Sequence, residues 1–191
     1  MNDLFAGFEL FDLVALLVVF TFFVLGFAQG TIRRLLGLAV TLLAIVAAVL
    51  LRDPIGDWLA RYWQQFAPEY AKMLAFGGSF LVVFIAASVT VQTFYKRQNL
   101  FARSALADEI IGGLLGIIQA VLLIGMLVLV LDSFFALAGI PPDVDEIGFI
   151  RQLFEFVHPS RTAAVYREVL IPASMVIAAP IVPADLRALF P

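Results

Sequence analysis

The stretch IIGGLLGIIQAVLLIGMLVLVL, residues 110–131, carries no formal charge over its 22 residues. A helix needs about 20 residues to cross the roughly 30 Å hydrocarbon core of a bilayer, and this segment has that length and polarity. Three further stretches match it: Leu13–Ile32, Leu35–Leu51 and Met73–Tyr95, of 20, 17 and 23 residues. Leu, Val, Ile, Phe and Ala dominate all four. They predict an all-α integral membrane protein with four transmembrane helices, over about residues 12–32, 35–51, 73–95 and 110–131. Residues 1–135 then form the four-span domain and residues 136–191 a tail.

Composition points the same way. Hydrophobic residues make up 63% of the chain, against about 45–50% apolar content in soluble domains, and charged residues 14%, against about 25%. The net charge is −3 and the twelve basic residues are dispersed, so no stripe for nucleic acid exists. The absence of cysteine excludes disulfides, thiol catalysis and Cys-based metal sites. Asp3 and Glu9 stand where a secretory signal carries Lys or Arg, and the first span is too long for a signal core. The first span is expected to stay in the mature protein.

Charges fall between the spans. Arg33 and Arg34 fill the first gap, which predicts a tight turn there. The 52–72 loop has Pro54 and Pro68 near its ends. Within it Ile55, Trp58, Leu59, Tyr62, Trp63 and Phe66 recur at helical spacing opposite Asp57, Arg61 and Gln65. That pattern predicts a short amphipathic interfacial helix. Lys96, Arg97 and Arg103 precede Asp108 and Glu109 in the third gap. Basic residues concentrated in the first and third gaps place those gaps in the cytoplasm and both termini outside.

The tail reads as amphipathic helices at the interface. Pro141–Pro142 breaks the chain, and Asp143, Asp145 and Glu146 suit the positive end of a new helix. Ile147, Ile150, Phe154 and Val157 form its apolar face. His158–Pro159–Ser160 ends that helix and caps the next, Arg161–Leu170. The run Val169–Pro183, interrupted by Pro172 and Pro180, is expected to be interfacial or re-entrant rather than a fifth span.

Spans one and four share a pattern: Leu25-Gly26-x-x-Gln29-Gly30 and Leu115-Gly116-x-x-Gln119-Ala120, the second preceded by Gly112 and Gly113. Small residues four apart let helix backbones approach closely in lipid. Spans one and four are therefore expected to pack through Gly26, Gly30, Gly112 and Gly116, with Gln29 and Gln119 bonding across the seam.

Catalytic chemistry finds little footing. His158, the single histidine, sits in a helix-ending turn, and no serine has a nucleophile-elbow setting. One histidine without cysteine makes no zinc site, and Gly112–Gly113 lacks the Lys-Ser/Thr of a phosphate loop. Asp12 and Asp132 stand at span boundaries, where Asp12 caps a helix. No enzyme activity, cofactor or metal is expected, and with no ionisable group inside the spans neither is a driven transporter.

Phe11-Asp12, Gly26-x-x-x-Gly30 with Ile32-Arg33, Leu106-Ala107-Asp108-x-x-x-Gly112-x-x-x-Gly116 and Leu131-Asp132-Ser133-Phe134 resemble the colicin V production protein (CvpA) family across residues 11–135. The resemblance implies a multi-pass protein of the bacterial inner membrane, linked to colicin V production or export and to envelope homeostasis. A non-enzymatic accessory or scaffold role follows, with the lipid bilayer, another membrane or envelope protein and a second copy of the chain as expected partners. The alternative is a small oligomeric channel or exporter with Gln29 and Gln119 along its path.

Overall fold

The computed structural model describes residues 9–94, 105–136 and 146–173. Among them the elements are α1 (Leu10–Gln29), α2 (Thr31–Tyr62), α3 (Pro68–Phe94), α4 (Ala105–Phe135), α5 (Gly148–Val157), α6 (Arg161–Val165) and a π-helical turn, Tyr166–Leu170. The first four are long and apolar enough to cross a membrane.

The first helix starts at Glu9, whose N–H is accepted by Asp12 Oδ2 at 2.9 Å. It stops at Gly30, where φ is +78°, a left-handed value that glycine adopts without steric cost. The second helix begins at the next residue. The turn is therefore Gly30 itself, not Arg33–Arg34, which belong to the first turns of α2. The chain reverses where the backbone permits a positive φ, and the arginines are carried into the helix beyond it.

A second difference concerns residues 52–62. They are helical, but as the end of the 32-residue α2, which runs through Pro54, and not as a separate interfacial helix. Pro54 lacks the N–H that would bond the Leu50 carbonyl, a cost of roughly 3 kcal/mol in an ordinary helix. Contacts with α3 hold the extension: Lys72 Nζ lies 3.5 Å from Asp57 and 3.8 Å from Asp53. Gly56 lets α3 come so near that an added Cβ would stand 2.8 Å from Lys72 Cα. At 1.5 Å per residue α2 is about 48 Å long, well beyond a 30 Å hydrocarbon core.

Helices α2 and α3 pack most extensively, α1 lies against α4, and α4 also touches α2 and α3. Although one glycine joins them, α1 and α2 have little contact. Small residues make the α2–α3 pairing close: Ala44, Ala48, Ala71 and Ala75 are all buried. Lipid supplies no hydrophobic drive between helices, so such close backbone packing has to hold them together. Larger side chains, among them Phe76, Phe80 and Val128, fill the core where these helices meet.

The tail packs back on the bundle. Phe154 stacks on Phe135 with centroids 4.5 Å apart, and Phe156 meets Phe11 edge-on at 5.7 Å. The Ile147 N–H donates to Tyr70 Oη at 2.9 Å. Beyond Ser160, which accepts the Ala163 N–H at 3.1 Å, the chain turns its Tyr166 side toward the bundle. It brings the Tyr166 ring to Gly125, about 10 Å along α4 from Asp132. The expectations for Lys96–Arg103, Pro141–Asp145 and residues 174–183 lie outside the described residues.

Candidate functional site

Among the described residues, polar groups enclosed by these helices include three sets, each joining separate elements. The first surrounds the α1–α4 crossing. A Cβ on Gly26 would overlap the Gly112 carbonyl oxygen, one on Gly116 the Phe22 carbonyl oxygen, and one on Gly30 the Asp108 carboxylate. Asp108 is buried. Its Oδ1 accepts the Thr31 N–H at 3.3 Å, and its carbonyl accepts the Thr31 hydroxyl at 3.0 Å. The carboxylate thus answers a free N–H at the start of α2, where a helix dipole favours negative charge.

The second set lies between α2 and α4. Arg34 Nη1 donates to Gln119 Oε1 at 2.9 Å, and Gln119 Nε2 donates to Thr41 Oγ1 at 3.2 Å. The Thr41 hydroxyl in turn donates to the Gly37 carbonyl at 2.9 Å. All three side chains are buried, Arg34 to 6% exposure. Gly37 makes the room: a Cβ there would stand 3.1 Å from Gln119 Oε1. The Phe22 ring centroid lies 5.4 Å from the Arg34 guanidinium carbon, within cation–π range.

The third set fastens the tail. Asp12 accepts the Thr162 N–H at 2.7 Å and the Arg161 N–H at 3.4 Å, so one carboxylate serves the first turns of both α1 and α6. Asp132, with no exposed surface, takes Arg167 in a two-pronged ion pair: Nε to Oδ2 at 2.7 Å and Nη2 to Oδ1 at 2.8 Å. Arg167 Nη1 also donates to the His158 carbonyl at 3.0 Å. Next to it, the Tyr166 hydroxyl donates to the Val121 carbonyl at 2.8 Å. Both contacts come from the π-helical turn, a geometry frequent at functional positions. Farther out, Glu146 holds Arg151 in a similar pair at 2.7 Å, pushing its guanidinium further above the ordinary value.

Of the residues singled out from sequence, Gly26, Gly30, Gly112 and Gly116 come together where α1 crosses α4. The two glutamines do not meet. Gln119 serves α2 with both ends of its amide, while Gln29 is half-buried beside the Gly30 turn. The motifs run antiparallel, which puts their glutamines on opposite sides of the glycine crossing. Arg34, Asp12, Asp108 and Asp132 are buried, whereas Arg33 remains half-exposed. Sequence reasoning missed Thr31, Thr41, Tyr166 and Arg167. A signal existed for Thr41, which shares a helix face with Arg34 at i+7. None existed for Arg167, whose partner is distant in the chain.

No curated protein and no solved structure matches the chain. The family model described as colicin V production protein matches residues 11–163. That region begins beside Asp12 and ends in α6, so it takes in the glycine crossing, the Arg34 set and the Asp12 contacts of the tail, while Tyr166 and Arg167 lie beyond it. The chain is a multi-pass membrane protein and belongs to the colicin V production protein family.

Proposed function

We propose that this protein is a non-enzymatic accessory scaffold of the bacterial inner membrane, serving colicin V production or export and the integrity of the envelope. Family membership supports the general setting. What supports the scaffold role is the use of the buried carboxylates. Among the described residues Asp12, Asp108 and Asp132 are buried, and each binds a second element of the same chain. Polar groups that a pump or an intramembrane enzyme would direct at cargo or substrate are here spent on joining helices. The product is one unit of four spans and a docked tail, whose α5 presents Phe149, 71% exposed, beside Gln152 and Glu155 for a neighbour.

The channel alternative draws less support. Gln119, one of its two candidates for a pore lining beside Gln29, has both amide ends engaged within the protomer. Photo-reactive residues at Phe149 and Gln152, activated in intact cells, should trap a defined membrane or envelope protein. A smear with no defined product, together with flux of ions or peptide through vesicles holding the pure protein, would overturn the scaffold role in favour of the channel.

A further inference from the structure

Among the described residues, the buried Arg52 and the partly buried Arg167 are answered by carboxylates, and the buried Arg34 is not. Arg52 meets Asp53 at 3.2 Å and Arg167 meets Asp132 at 2.7 Å. Arg34 makes no ion pair among the described residues, and its Nε is buried without an acceptor. Among the described residues the one hydrogen bond of its guanidinium, from Nη1, goes to the neutral Gln119. A full charge enclosed by membrane helices and met only by neutral groups is costly, and such residues mark binding sites or pathways.

The orientation of the guanidinium says what it would take. With Nη1 held by Gln119, which Thr41 holds in turn, the edge left over is that of Nε and Nη2. Two parallel N–H bonds from one edge match two oxygens of a carboxylate or phosphate. Arg167 uses this same edge on Asp132. Arg34 also lies only about 4.5 Å along α2 from Thr31, within side-chain reach of the headgroup layer at the Gly30 end. Because α1 and α2 have little contact, an anion can approach between them, where the half-buried Phe22 ring covers the guanidinium.

We propose that Arg34 is an anion-binding residue whose Nε–Nη2 edge takes two oxygens of a phosphate entering between α1 and α2 at the Gly30 face. Gln119 and Thr41 position the guanidinium, and Phe22 is the cover that swings aside. Phosphate is favoured over carboxylate because headgroup phosphates crowd this depth of any phospholipid bilayer. A lipid headgroup and free phosphate present the same oxygens.

The test uses the full-length protein in a phosphate-free detergent. Phosphatidylglycerol, phosphatidylcholine or inorganic phosphate is added, and bound species are counted by native mass spectrometry. Wild type and Arg33→Gln should retain phosphatidylglycerol, whereas Arg34→Gln should bind it roughly tenfold more weakly. Arg34→Lys, which keeps the charge but not the fork, should fall between. If inorganic phosphate binds and competes with the lipid, the site reads the phosphate alone; lipid binding without competition assigns it to the headgroup. Equal binding by Arg34→Gln and wild type, equal loss in Arg33→Gln, or no binding of either probe would each overturn the proposal. Should Arg34→Gln fail to fold, Phe22→Ala decides. It keeps Arg34 and uncovers its edge, so tighter binding supports the site and unchanged binding overturns it.

Discussion

A single methyl group separates a tolerated glycine substitution from a damaging one in this chain. At Gly26 and Gly116 the added carbon would overlap a backbone oxygen of the facing helix, and backbone cannot step aside as a flexible side chain does. Leucine at either position should cost about 1–3 kcal/mol or more by overpacking and lower the unfolding temperature in detergent. Gly78 is the control, since a Cβ there meets nothing within 4 Å. Gly78→Ala should be neutral or stabilise by roughly 0.5–1 kcal/mol through helix propensity. If all three variants shift equally, the α1–α4 crossing is not what holds these helices. Asp132 poses a different problem, because its carboxylate is wholly enclosed and paired. Asp132→Asn strands the Arg167 charge, a loss of about 3–5 kcal/mol for a buried pair with one partner removed. The tail should then become sensitive to protease under conditions where wild type resists. A protected tail in Asp132→Asn would mean that the aromatic contacts of α5 alone retain it.

At the scale of elements, the four spans were legible because each contains a charge-free run long enough for a bilayer. Their ends were not. Thr31 and Ile32 look like a continuation of the first span, and nothing local distinguishes Gly30, with its positive φ, from the other span glycines. Arg33–Arg34 resembled a loop because charges usually leave the membrane, yet Arg34 finds Gln119 inside. Pro54 looked like a stop, but contacts of Asp53, Gly56 and Asp57 with Lys72 keep the helix going. The glycines of spans one and four could be paired from their spacing. The partners of Asp12 and Asp132 could not, since both lie in a tail far along the sequence. Asp12→Ala should detach the first turn of α6 at a cost of about 1 kcal/mol, the usual worth of a cap. Hydrogen exchange at Arg161 and Thr162 measures it: the amides should exchange faster while those of α1 beyond its first turn stay protected.

For the molecule as a whole, Asp12 at the start of α1 and Asp132 at the end of α4 both hold the tail, so the first span, last span and tail share one face. By the positive-inside rule, the lysines and arginines of the first and third gaps predict that the Gly30 face is cytoplasmic. Reporters fused to the N-terminus and to the C-terminus should both report the extracytoplasmic side; opposite readings would break the even-span topology. The shared fastening also bears on the order in which the chain is made. Asp12 enters the membrane with the first span, yet the amides that receive it belong to residues synthesised 149 and 150 positions later. Throughout translation Asp12, and later Asp132, are acids at a membrane boundary without their final partners. A ribosome that stops before Arg161 therefore releases a four-span chain in which Asp132 lacks its arginine and Asp12 keeps only the Glu9 N–H. Such a product should be more open to membrane proteases than the chain with its tail docked.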